Sequence, residues 1–119
     1  MKHIFVFCLF LLFLFSGCRK DLNEQTEPVN LKTEFLTEPL GIDAAHPRFT
    51  WEYTNEEKDF RVSKYEIKIG TSPENLKIYS GKEVLKPHTR YYWNVTVWDD
   101  KNRKCKTSQI TFFETAKMQ

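Results

Sequence analysis

Past residue 28 the chain alternates apolar and polar side chains with a period of two. Phe49, Trp51 and Tyr53 interleave with Arg48, Thr50 and Glu52, and Tyr65, Ile67 and Ile69 interleave with Lys64, Glu66 and Lys68. A strand sends successive side chains to opposite faces, so this pattern predicts half-buried antiparallel strands. Tyr91, Trp93, Val95 and Val97 form a third inward set opposite Tyr92, Asn94, Thr96 and Trp98. A first strand is expected through Leu31, Thr33 and Phe35, a short one over Leu76–Ser80 and a last one over Ser108–Thr115. Turn-forming residues fall between these segments, at Pro39–Gly41, Asn55–Asp59, Thr71–Asn75, Gly81 and Asp99–Arg103. No stretch carries the three-and-four spacing of a helix. Short strands punctuated in this way predict an all-β antiparallel sandwich over residues 29–116.

The N-terminus breaks the pattern. An unbroken apolar run from Ile4 to Phe15 follows Lys2 and His3; at 12 residues it is shorter than the roughly 20 needed to cross a bilayer. A secretory signal peptide over residues 1–17 fits it. The run ends in Leu14-Phe15-Ser16-Gly17-Cys18, which resembles the lipobox of bacterial lipoproteins. That resemblance implies an acylated Cys18 at the mature N-terminus and export to a bacterial membrane, the outer one being compatible with Arg19. Residues 18–28 are polar apart from Leu22 and are expected to form a flexible tether.

Composition then narrows the chemistry. Removing residues 1–17 takes only Lys2 from the 18 Lys and Arg, leaving a net charge of +1 against 16 Asp and Glu. That balance argues against a nucleic-acid partner, which calls for a basic face. Of three cysteines, Cys8 leaves with the signal and Cys18 takes lipid, so Cys105 stands alone and no internal disulfide forms. Cys105 follows the basic turn Lys101–Lys104, and nearby cations lower a thiol pKa. With no histidine or carboxylate beside it in sequence, it is read as incidental. There is no Cys/His cluster with zinc spacing, no phosphate-binding glycine loop and no Gly-x-Ser-x-Gly turn, so neither metal nor cofactor is expected.

Leu85, Pro87, Thr89 and Tyr91, followed by Val95 and Val97, resemble the start of strand F in fibronectin type III domains. The resemblance implies that the Tyr91 hydroxyl bonds back to the backbone as a tyrosine corner, and that Trp51 is the buried tryptophan of strand B. Both are structural roles. A longer match lies in Pro28–Phe35, Pro39–Asp43, His46–Trp51, Tyr91–Asp99 and Phe113–Thr115, which resemble the N-terminal fibronectin-III-like domain of bacterial α-L-rhamnosidases. Two departures matter. Members of that family hydrolyse glycosides with acidic residues in a helical barrel further along the chain, and nothing here resembles that barrel. Glu52, Glu56, Glu57 and Asp59 fall on an outward strand face and a turn, so no catalytic residue is carried over. Between Gly81 and Leu85 only three residues remain where the family places strand E. Six strands are therefore expected instead of seven.

The reading that follows is a non-catalytic, lipid-anchored module of immunoglobulin or fibronectin-III type, with a structural or interaction role in glycan degradation. Alternatives are a carbohydrate-binding module and a piece of a rhamnosidase without its barrel. Its partners would be the membrane, through Cys18, and a protein domain or glycan. Tyr92 and Trp98, on the outward face of their strand, are the candidate surface contacts.

Overall fold

A computed structural model describes residues 22–55, 57 and 59–117. The expected signal peptide, Cys18 and residues 18–21 of the expected tether lie outside these residues. Among the described residues there are nine strands: β1 Leu22–Asn23, β2 Pro28–Thr33, β3 Leu40–Ile42, β4 Phe49–Tyr53, β5 Val62–Gly70, β6 Lys77–Ile78, β7 Arg90–Asp99, β8 Lys104–Cys105 and β9 Thr111–Thr115. They form two layers, an all-β sandwich. One layer is the antiparallel pair β2 and β4; the other runs β1-β8-β7-β5-β6, with β9 also on β7 and β3 on β9.

β2, β4, β5, β6, β7 and β9 are the six expected strands. The additions β1, β3 and β8 are two or three residues each, too short to carry a readable alternation. Between β6 and β7, residues 79–89 form no strand, so the layer of β2 and β4 has no third member.

The core is centred on β7, which has a partner along both edges: β5 on one side, β9 and β8 on the other. Its inward Trp93, Val95 and Val97 are completely enclosed, as is Phe113 of β9. From the opposite layer the Phe49 ring reaches down onto Trp93 at 4.5 Å and Phe113 at 5.9 Å. Burial of each such side chain is worth about 1.5–3 kcal/mol, which makes this cross-layer cluster the main tie between sheets. Leu85 plugs the same core from the strandless 79–89 segment. Just after it, the Lys86 N–H donates to the Tyr91 Oη at 2.8 Å, closing a tyrosine corner across the chain's return into β7.

Two expectations need correction. Phe35 does not continue the first strand. Thr33 and Leu36 bond each other through both backbone groups while Glu34 and Phe35 take φ of 51° and 64°, a tight turn that throws Phe35 outward under the Arg48 guanidinium. Residues 22–28 are not a free tether either. β1 pairs in parallel with β8, Thr26 is fully buried, and the Lys106 N–H donates to the Thr26 carbonyl.

What orders that stretch is Asp99, whose side chain is 1% exposed. Its carboxylate accepts from the Lys101 and Arg103 backbone N–H groups, the Arg103 Nε at 2.8 Å and the Asn23 amide at 3.2 Å. Burial alone would raise its pKa. The Arg103 backbone, the Asn23 amide and the Arg103 guanidinium outweigh that and hold it below the usual carboxylate range.

Candidate functional site

The sequence-named surface pair does not make one platform. Tyr92 and Trp98 are both half-buried and stand six residues apart on β7, roughly 20 Å at a strand's rise per residue. Tyr92 packs against Phe112 at 6.3 Å between ring centroids, while Trp98 lies beneath the Lys64 ammonium at 4.2 Å. Between them on the same face, Thr96 is buried and bonded to Thr107. Of the carboxylates weighed from sequence, Glu52 points outward and bonds Asn30, and Glu57 and Asp59 are exposed; Glu56 is outside the described residues. Cys105 is buried, and burial first, then the nearby Asp99, pushes its thiol up, not down.

A different feature stands out where the third strand of the smaller layer is missing. Beyond the free edge of β4 lies a recess of about 230 Å³, lined by Pro47, Phe49, Trp51, Tyr65, Ile67, Tyr79, Ser80 and Gly81. Its floor is the inward face of β5. Tyr65 and Ile67 project to that same side, yet Tyr65 is 62% exposed against 9% for Ile67. Tyr65 is thus an inward side chain that no strand among the described residues covers.

Trp51 forms the recess wall and is only half-buried, a correction to its expected place inside the core. Its ring meets Tyr65 edge-on at 5.4 Å, and its Nε1 donates to the Tyr53 Oη at 3.0 Å. The tryptophan at the centre of the sandwich is instead Trp93. At the far wall, the Tyr79 ring packs edge-on against Phe49 at 5.9 Å. Its hydroxyl is enclosed and has no hydrogen-bond partner among the described residues. Burial, with Glu83 nearby, raises the Tyr79 pKa. None of the lining residues is charged. The site is therefore built to cover apolar and aromatic surface. Sequence reasoning gave its cause, the lost strand, but not its membership: alternation marks the side to which Trp51 and Tyr65 point and carries no information on what lies above them.

Comparison with known proteins adds the following. A family model described as the Rha78A-like, N-terminal immunoglobulin domain matches residues 28–119. An α-L-rhamnosidase of Streptomyces avermitilis is 33% identical, over 71% of this chain and 10% of that protein. One from Formosa agariphila is 30% identical, over 95% of this chain and 14% of its own length. Among solved structures, the crystal structure of the Streptomyces avermitilis α-L-rhamnosidase complexed with L-rhamnose superposes with a TM-score of 0.70 at 30% identity, covering 78% of this chain and 11% of that one. The α-L-rhamnosidase from Dictyoglumus thermophilum gives a TM-score of 0.68 at 28% identity, over 82% and 13%. The chain spans about a tenth to a seventh of the length of these relatives.

Proposed function

The chain belongs to the Rha78A-like N-terminal immunoglobulin-domain family, and on that premise we propose that it is a non-catalytic accessory module, anchored to a bacterial membrane through lipid on Cys18 and serving an interaction role in glycan degradation. The observation that carries this reading is which domain the residues match. Residues 28–119 match the N-terminal immunoglobulin domain, and they build a sandwich around aromatic side chains. Glycoside hydrolysis ordinarily needs two carboxyl groups facing one bond at roughly 5–9.5 Å. The described carboxylates of the β4–β5 region, Glu52, Glu57 and Asp59, are instead exposed to solvent.

The anchoring rests on the apolar run of residues 4–15 leading into Ser16-Gly17-Cys18. One acyl chain gives marginal membrane binding, whereas two or more hold a protein firmly. Detergent-phase partitioning of the full chain against Cys18→Ala tests it. Wild type is expected in the detergent phase and the variant in the aqueous phase; a wild type that stays aqueous removes the anchor from the proposal. The same preparation, assayed on aryl rhamnosides, is expected to show no turnover. Turnover abolished by replacing a single carboxylate would overturn the non-catalytic assignment. Reading the nucleotides downstream of the gene separates this module from the leading piece of a longer enzyme.

A further inference from the structure

The interaction role proposed above acquires a specific partner chemistry from the free edge of β4, and the inference that follows rests on that role. The bonds at the two ends of β4 determine which of its backbone groups are used. The Thr54 N–H donates to the Glu27 carbonyl, and the Arg48 carbonyl accepts from the Glu34 N–H, so the residues in register with 48 and 54 face β2. Alternation then leaves the N–H and C=O groups of Phe49, Trp51 and Tyr53 on the opposite edge. Among the described residues no strand pairs there. An unpaired edge of this kind is a ready template for another chain.

The recess beside that edge selects what can use it. Its lining carries no charge, while the charged residues of β5, Lys64, Glu66 and Lys68, alternate onto the other face. Over the β5 floor of Tyr65 and Ile67 an uncharged side chain is favoured, because a charge enclosed there meets no partner on the lining itself; the carboxylate of Glu83 lies at the Ser80 wall, held by the Ser80 N–H and hydroxyl. The overhang of the larger layer favours a single strand over a folded second copy. β5 and β6 run on beneath the recess, whereas the layer above stops at β4. Two copies joined β4 to β4 would bring two such overhangs to the same side of the joined layer. A single extended strand, about 4.8 Å from β4, fits above the shelf.

We propose that the free edge of β4 takes up one extended segment of a partner protein, in which every second side chain is uncharged and enters the recess over Tyr65 and Ile67. The segment completes a three-stranded layer with β2 and β4, as in strand-addition complexes.

The test uses the full chain and a capped synthetic peptide, Lys-Thr-Val-Thr-Val-Thr-Val-Thr-Lys. Saturable binding is expected, read from tryptophan fluorescence, together with slowed amide exchange at residues 49, 51 and 53. Two further peptides, N-methylated on the odd or on the even residues, separate backbone pairing from simple apolar contact. One of them should lose at least tenfold in affinity and the other should not. Tyr65→Glu, at an already exposed position, should also lose at least tenfold with an unchanged far-UV circular dichroism spectrum. Lys64→Glu, on the outward face, should bind as wild type. The inference is overturned by absence of saturable binding at roughly millimolar peptide, by equal affinity for both N-methylated peptides, by a β4-edge dimer that excludes the peptide, or by a neutral oligosaccharide occupying the recess in its place. Failure here is distinct from failure of the anchor: a chain that partitions into detergent but ignores the peptide sinks this inference alone, and one that binds peptide but stays aqueous sinks only the anchoring.

Discussion

β7 and β4 each carry a tryptophan on the inward face, and the two meet opposite fates. Trp93 of β7 is fully enclosed, with strands along both edges of β7 and Phe49 reaching down from the facing layer. Trp51 of β4 is half-buried, because among the described residues β4 has a neighbour on one edge only and its layer has no third strand. Equivalent alternation in sequence thus gives unequal burial. What differs is the number of neighbouring strands, a property of topology that no local window of residues contains.

The comparison is most sharply tested by truncating both tryptophans. Trp93→Ala is expected to destabilise the domain by about 3–5 kcal/mol, as a large core truncation. Trp51→Ala, at a half-buried ring, should cost about half of that, about 1.5–2.5 kcal/mol. Urea melts monitored by far-UV circular dichroism decide it; equal losses would mean that β4 is covered after all.

The β7–β8 turn offers a second contrast with the open edge, since its buried group is fully bonded where Tyr79 is not. Asp99→Asn should cost on the order of 2–3 kcal/mol at neutral pH, the scale of hydrogen bonds made to a charged group. The folded-state pKa of Asp99 is depressed, so this contribution is fully present above the unfolded value near 3.9 and fades as pH falls through the folded one. Melts from pH 7 into the acid range should therefore show wild type and Asp99→Asn converging below pH about 3.9. A gap that persisted undiminished into strong acid would contradict the depressed pKa.

The smallest effect is expected at the tyrosine corner. Tyr91→Phe removes the acceptor of the Lys86 N–H. A buried donor left unpaired costs about 1–3 kcal/mol, and because Lys86 is exposed and water can replace the lost partner, a value of about 1 kcal/mol is expected. The same denaturant melts read it, and a loss as large as that of Trp93→Ala would show that the corner, and not the β7 core, governs stability.

Much of the sandwich was legible because period-two alternation runs through β4, β5 and β7 and turn residues separate them. The lost strand was legible as arithmetic, three residues where a strand needs about five. What escaped depends on single long-range contacts. Leu22–Pro28 reads as polar tether, yet it is ordered by Asn23 reaching Asp99, 76 positions away, and by Thr26 bonded to Lys106. Phe35 reads as strand, yet two consecutive residues of positive φ turn it out. The separation of Tyr92 from Trp98 was present in the numbering itself. Facing the same way along a ten-residue strand does not bring two side chains together.

Ordering from Leu22 onward also sets how such a module would stand on a surface. With Cys18 as the proposed anchor, only residues 19–21 intervene before β1, a span of at most about 10 Å when extended. β1 and β6 occupy opposite ends of the order β1-β8-β7-β5-β6, roughly 19 Å apart at ordinary strand spacing. An anchor at Cys18 would therefore hold the domain to lipid at its β1 margin. The aromatic shelf over β5, next to β6, lies toward the opposite margin, so the point of attachment and the recess would be separated across the width of the larger layer.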